Sequence, residues 1–149
     1  MEVKFNKTLD RGTQACVSTL LWAAPENTLH MITTSCHCGS VKVSIPRRPE
    51  TLTNCDCSIC RRYGTLWAYY SRTEVQIEAA PGATSNYSWG SKTIQFVRCA
   101  NCGCVTHWEA IVQERGERMG VNARNFDPDQ LGEVRIRRLD GAVTEEYLD

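Results

Sequence analysis

A mainly β fold of many short strands, clipped together by metal-binding cysteines, is what this sequence predicts. Three observations predict it. Apolar and polar residues alternate over short runs bounded by glycine and proline, only two brief stretches look helical, and eight of the nine cysteines fall into three tight groups. At 149 residues the chain is long enough for one domain with a core of its own and short for two.

The elements follow in order. Val41, Val43 and Ile45 alternate with Lys42 and Ser44, a half-buried strand that stops at Pro46. Leu66 to Tyr70 is rich in aromatic residues and reads as a second strand. Val75 and Ile77 alternate with Gln76 and Glu78 before the turn at Pro81-Gly82. Thr93 to Arg98 places Ile94, Phe96 and Arg98 on one face and leads straight into Cys99. Val105 to Ile111, Met119 to Val121 and Val134 to Leu139 supply further strands, the last with Arg135 and Arg137 as an outward charged face. Ser58 to Tyr63 and Asp127 to Leu131 read as helical turns, the second opening on Asp-Pro as a helix entry often does.

Residues 1–30 have no clear period, and their Cys16 belongs to no cysteine group. Two readings stand for them: a loosely held extension, or a segment upstream of a true start at Met31, against an extra strand or helix packed on the core. The expected domain is 31–149. The apolar segment Ala15 to Ala24, preceded by Lys4, Lys7 and Arg11, imitates a secretory signal, but it contains Ser18 and Thr19 and lacks a small-x-small cleavage site. No apolar run approaches the roughly 20 residues that span a bilayer.

The three cysteine groups are Cys36 and Cys38; Cys55, Cys57 and Cys60; and Cys99, Cys102 and Cys104. Disulfide scaffolds spread their cysteines to staple distant loops and use an even number, whereas metal sites pair them at short intervals so that neighbouring sulfurs converge on one ion. The spacing therefore favours zinc and a reducing, cytoplasmic setting. One partition joins Cys36 and Cys38 to Cys99 and Cys102, and leaves Cys55, Cys57 and Cys60 as a second site. The fourth position of that second site is then open to water, to a substrate thiol or to Cys104. Spacing alone leaves the partition undecided.

Lysine plus arginine equals aspartate plus glutamate at 17 each, so the formal net charge is zero. That balance disfavours nucleic-acid binding, which draws its affinity from a basic excess. A zinc-ribbon module is disfavoured too, because the interval from Cys60 to Cys99 far exceeds the roughly 15–20 residues of such a ribbon.

The runs Ser35-Cys36-His37-Cys38-Gly39-Ser40-Val41, Cys55-Asp56-Cys57-Ser58-Ile59-Cys60-Arg61-Arg62-Tyr63-Gly64 and Cys99-Ala100-Asn101-Cys102-Gly103, with the later Gly120-Val121-Asn122-Ala123-Arg124, resemble the glutathione-dependent formaldehyde-activating enzyme family, which includes centromere protein V. The resemblance spans about residues 34 to 126. It implies a small multi-sheet β fold like that of the Rab-binding zinc proteins and methionine sulfoxide reductase B. It also implies two zinc ions: a structural one on Cys36, Cys38, Cys99 and Cys102, and a second on Cys55, Cys57 and Cys60 that takes a thiol substrate. The implied activity is a carbon–sulfur lyase that adds glutathione to formaldehyde, giving S-hydroxymethylglutathione.

Arg61 and Arg62 follow Cys60 directly and are candidates to clasp a carboxylate of glutathione, with solvated surface charge as the other reading. Cys104 is either a fourth ligand at the second site or a small buried apolar residue. His37 reads as a surface residue between two ligands, and His107 as a packed strand histidine. Trp67, Tyr69, Tyr70, Trp89 and Trp108 read as core and sheet-face residues, a few of them able to line a groove. Asn122 and Arg124 read as structural, and Cys16 as an incidental thiol. The competing function is a non-catalytic zinc scaffold or thiol carrier with both zinc sites structural.

Overall fold

The structure is a computed structural model that describes residues 31–112 and 118–149. The expectations for residues 1–30, Cys16 included, lie outside the described residues.

Eleven strands are found among the described residues, in two sheets. The first sheet has three strands in the order β1 (Ile32–Ser35), β2 (Val41–Ile45) and β5 (Gln76–Ala79), all antiparallel. The second has eight in the order β11 (Glu146–Tyr147), β10 (Arg135–Asp140), β3 (Thr51–Cys55), β4 (Trp67–Ser71), β9 (Arg118–Asn122), β8 (Val105–Ala110), β7 (Ile94–Cys99) and β6 (Thr84–Tyr87). Its pairs are antiparallel except β10 with β3, which run parallel.

The main core is built from the alternate residues of β2, β4 and β9: Val43 and Ile45, Ala68 and Tyr70, Met119 and Val121. Met119 and Val121 are fully buried. Burying each such side chain stabilises the fold by roughly 1.5–3 kcal/mol, which is why the period-2 pattern of these strands is legible in the sequence. Trp67 and Tyr69, on the opposite face of β4, belong to a second cluster with Phe96 and Trp108.

Short helices close the gaps. α1 (Cys60–Tyr63) ends on Gly64, whose φ of 62° lets its N–H reach back to the Cys60 carbonyl. α2 (Pro128–Leu131) is entered through Asp127, with a reciprocal capping box between Asp127 and Gln130 and proline in its first turn. Asn122 ties the centre together. Its Oδ1 accepts from the Leu66 N–H at 3.2 Å and the Arg124 N–H at 3.3 Å, and its Nδ2 donates to the Val105 carbonyl at 2.9 Å.

The last long strand departs from the expected pattern. In β10 it is Ile136 that stands exposed, while Arg137 is half-buried with its guanidinium 3.7 Å over the ring of Tyr147. Arg135 is exposed and Val134 packs against the main core, as the alternation predicts; Ile136 and Arg137 are the departures. The two-residue strand β11 folds back over β10 and covers the arginine stem, an apolar contact that a long cationic side chain readily makes.

Candidate metal centres

Two β-turns carry the first cysteine group. Between β1 and β2, the Cys36 N–H donates to the Val41 carbonyl and the Gly39 N–H to the Cys36 carbonyl, both at 2.9 Å. Between β7 and β8, the Cys99 N–H donates to the Cys104 carbonyl at 2.9 Å and the Gly103 N–H to the Cys99 carbonyl at 3.0 Å. Gly39 and Gly103 have φ of 80° and 77°, left-handed values that a side chain resists and these tight turns require. The two turns face each other, one from each sheet.

The sulfurs of Cys36, Cys38, Cys99 and Cys102 all lie within 4.8 Å of one another. Cys36 Sγ and Cys38 Sγ are 3.6 Å apart, and Cys38 Sγ and Cys99 Sγ 3.5 Å. A disulfide needs about 2.05 Å. Four sulfurs around one ion at about 2.3 Å sit roughly 3.8 Å apart, so the observed spacing fits a tetrahedral thiolate site, the donor set that suits zinc. The Val41 N–H points at Cys36 Sγ from 3.3 Å, and the Ser40 hydroxyl, 3.2 Å from Cys38 Sγ, is the main influence that draws the Cys38 thiol down to about 5.

The second group is built on one connection. Cys55 ends β3, Cys57 lies in the following turn, and Cys60 opens α1, so a few residues of chain bring three sulfurs within 4.8 Å of one another. Among the described residues no fourth cysteine, histidine or carboxylate joins them. Trp67, 2% exposed, donates its indole N–H to Cys60 Sγ at 3.2 Å. A hydrogen bond from the Cys60 thiol pulls the Cys55 thiol down to about 6, while the same interaction, with burial, pushes Cys60 up. Crowded sulfurs that resist sharing their protons favour exchange of those protons for a cation.

Cys104 is not at the second group. It packs beside Cys36, Cys99 and Cys102, and the backbone of His37 hydrogen-bonds to its sulfur. The reason is local: the turn that pins the Cys104 carbonyl to the Cys99 N–H holds this residue at the first group. It lies outside the set of four converging sulfurs.

The second group forms the floor of a cleft of about 470 Å³. Its walls are Trp67, Tyr69, Phe96 and Trp108 on the sheet, with Trp89 and Tyr147 at the rim. Alternation sets this up: Phe96 and Trp108 face the cleft, whereas Val97 and His107, their neighbours in sequence, line a separate polar hollow of about 320 Å³. His107 therefore stands away from the second group. It is 3% exposed, hydrogen-bonded through Nδ1 to Thr106 Oγ1 at 2.9 Å, and held down to about 4 by burial. His37 is exposed.

Arg61 and Arg62 are both exposed and neither lines the cleft; Arg62 donates to the Ser58 carbonyl at 2.7 Å, one turn back along the chain. Facing the cleft instead is Arg118, whose guanidinium lies 3.8 Å over the ring of Tyr69. Nothing in the pattern around Arg118 marks it, because it reaches the cleft only through the pairing of β9 with β4. Gly141 is the other residue that sequence reasoning missed. It lies against Cys55, and a Cβ on it would collide with that sulfur. Only an Asp-Gly turn signal is visible at that point in the sequence.

No helix among the described residues is long and apolar enough to cross a membrane. No curated protein matches the chain. The crystal structure of a Rhodobacter sphaeroides protein is similar to it, with a TM-score of 0.57 and 28% identity over 70% of this chain and 99% of that one. The model of the glutathione-dependent formaldehyde-activating enzymes matches residues 31–137, a span that contains all eight clustered cysteines, and the chain belongs to that family.

Proposed function

We propose that this protein is a zinc-dependent carbon–sulfur lyase that joins a small thiol, glutathione or a relative of it, to an aldehyde such as formaldehyde. The observation that carries the reading is the second cysteine group: three thiols converge at the floor of an open cleft, and no fourth ligand closes the set among the described residues. A structural zinc site is closed by four protein ligands, whereas a reactive one keeps a position free. Cys36, Cys38, Cys99 and Cys102 would hold one zinc as a clip between the two sheets, and Cys55, Cys57 and Cys60 the other.

When bound, the second zinc supplies acidification of a thiol at neutral pH. The chain's own residues do the rest. The three cysteines fix the place where sulfur chemistry occurs. Trp67 holds Cys60 in orientation through its N–H, as outer partners of metal ligands commonly do. The aromatic walls give the reacting atoms a largely apolar surface on the sheet side. In the reaction a sulfur–carbon bond forms as the carbonyl π bond breaks, the thiol gives up its proton, and the carbonyl oxygen gains one. No oxidant or reductant is needed.

The competing reading, a scaffold or thiol carrier with both sites filled by protein, drew its support from Cys104 as a fourth ligand, and that residue lies with the first group. The cytoplasm remains the compartment we propose, because eight clustered thiols require reducing surroundings.

The test is a rate measurement with glutathione and formaldehyde on zinc-loaded protein, compared with Cys57→Ser. Cys57 is half-exposed and sits in a turn, so the fold should survive while turnover and one equivalent of zinc are lost. Unchanged turnover in the variant sinks the enzyme reading. Thiol binding without turnover in the native protein leaves the carrier.

A further inference from the structure

We infer that the thiol this cleft selects carries an aromatic or bulky apolar substituent, in preference to the doubly carboxylated tail of glutathione. The inference rests on the reading of Cys55, Cys57 and Cys60 as a thiol-binding metal site, and goes further by naming the class of thiol.

The surfaces around those sulfurs carry the argument. Cys55 and Cys60 share one packed cluster with Trp67 and Phe96, against which Tyr69, Trp108 and Leu139 also pack. A ligand whose sulfur reached the floor would therefore lie with its substituent against aromatic faces, which reward a ring stacked edge-on or offset. Tyr69 offers no charge to a ligand, since burial pushes its phenol up to about 12.

The charges that the described residues bring to the cleft do not match glutathione. The tripeptide brings two carboxylates and one ammonium, separated by amides. Among the described residues, the lining holds one cation, Arg118, and one carboxylate, Glu145. The Arg118 guanidinium is already stacked on Tyr69, and Arg61 and Arg62, which would have supplied more positive charge, lie outside the lining. Among the described lining residues, a second carboxylate of glutathione finds no second cation to pair with.

The rim supplies the positive side. Between β6 and β7 the chain turns through Gly90, φ 61°, and Lys92, φ 54°, and this tight loop presents Trp89, which is 48% exposed at the mouth of the cleft. A half-exposed tryptophan over a groove that already has aromatic walls offers a lid face to a ring below it. Ile94 and Leu139 extend the apolar lining between rim and floor.

The experiment titrates zinc-loaded full-length protein with three probes: 2-phenylethanethiol, glutathione, and 2-phenylethanol, which keeps the ring and lacks the sulfur. Binding is read by calorimetry and by tryptophan emission, since Trp67, Trp89 and Trp108 all border the cleft. The expected result is that the aromatic thiol binds at least about tenfold more tightly than glutathione, and the alcohol more weakly than the aromatic thiol. Trp89→Ala, at an exposed position, should weaken the aromatic thiol about fivefold, the scale of one aromatic contact, and weaken glutathione by less. Glutathione binding as tightly as the aromatic thiol, or more tightly, overturns the inference while leaving the thiol-binding site intact. Failure of both thiols to bind better than the alcohol overturns the metal-site reading and this inference with it.

Discussion

Gly141 lies against Cys55 so closely that a Cβ on the glycine would run into Sγ, and would also come within 3.2 Å of the Cys57 Cβ. The turn after β10 is thus part of the wall of the second cysteine group. A hydrogen bond holds it there: the Asp56 side chain accepts from the Ala142 N–H at 3.1 Å.

Gly141→Ala should therefore damage the second site and spare the first. The added methyl must displace either the turn or the sulfur, and displaced ligands or supports typically cost about tenfold or more in metal affinity. Metal analysis after dialysis should show close to one zinc per chain, against the two expected for the native protein. Retention of both zincs at native affinity would show that the turn simply moves aside.

Trp67→Phe tests the hydrogen bond to Cys60 Sγ. Phenylalanine keeps most of the buried ring and loses the N–H donor, leaving the sulfur with one partner fewer. We expect about tenfold weaker zinc binding at the second site in a chelator competition, and a stability loss of about 1–3 kcal/mol from the smaller ring and the lost donor. With cobalt in place of zinc, the sulfur-to-metal absorption should shift, a signature that mere loosening of the core does not produce.

The strands whose alternating residues fill the core are the ones legible in the sequence. β2, β5 and β7 lie where alternating residues predict strands, and β4 where aromatic residues do, because each buries one face and exposes or differently uses the other. The strands that escaped notice are polar or very short. β3 reads Thr-Leu-Thr-Asn-Cys, yet both Leu52 and Thr53 are buried, since parallel β10 covers one edge and β4 the other. β6 is Thr-Ser-Asn-Tyr at the sheet edge, where no burial writes a pattern. The cysteines were visible because their close spacing is itself the geometry. Arg118, Gly141 and Tyr147 were not, because the cleft is assembled by β9, β10 and β11 from the far end of the chain.

The two cysteine groups should differ in what they do for stability. Cys36 and Cys99, each 1% exposed, sit with Val41 in the cluster that joins the small sheet to the large one. Cys99→Ser removes one of four sulfurs from that junction and leaves a polar oxygen in its place. Loss of a structural metal is among the few single changes that cost about 4 kcal/mol or more. Thermal unfolding of Cys99→Ser should resemble that of chelator-treated native protein, while Cys57→Ser should melt within a few degrees of the zinc-loaded native chain. Equal melting of the two variants would contradict the assignment of the first group as the clip.

His107 sets an acid limit on stability that is separable from the metals. Burial holds its imidazole at about 4 against an ordinary value of 6.5, with Glu109 opposing the shift and Arg72 adding to it. The unfolded chain therefore binds a proton between those values that the folded chain refuses. Stability from this group is fully present above about pH 6.5, falls as pH drops toward about 4, and levels off below that. The depression corresponds to something on the order of 3 kcal/mol across the window. His107→Gln keeps a polar side chain that can bond Thr106 and cannot titrate. Urea unfolding of both proteins, zinc-loaded and compared at each pH from 7.5 to about 5, should show the native protein losing its stability advantage over the variant as pH falls. A constant difference between the two curves would place the His107 imidazole at its ordinary value and its hollow open to water.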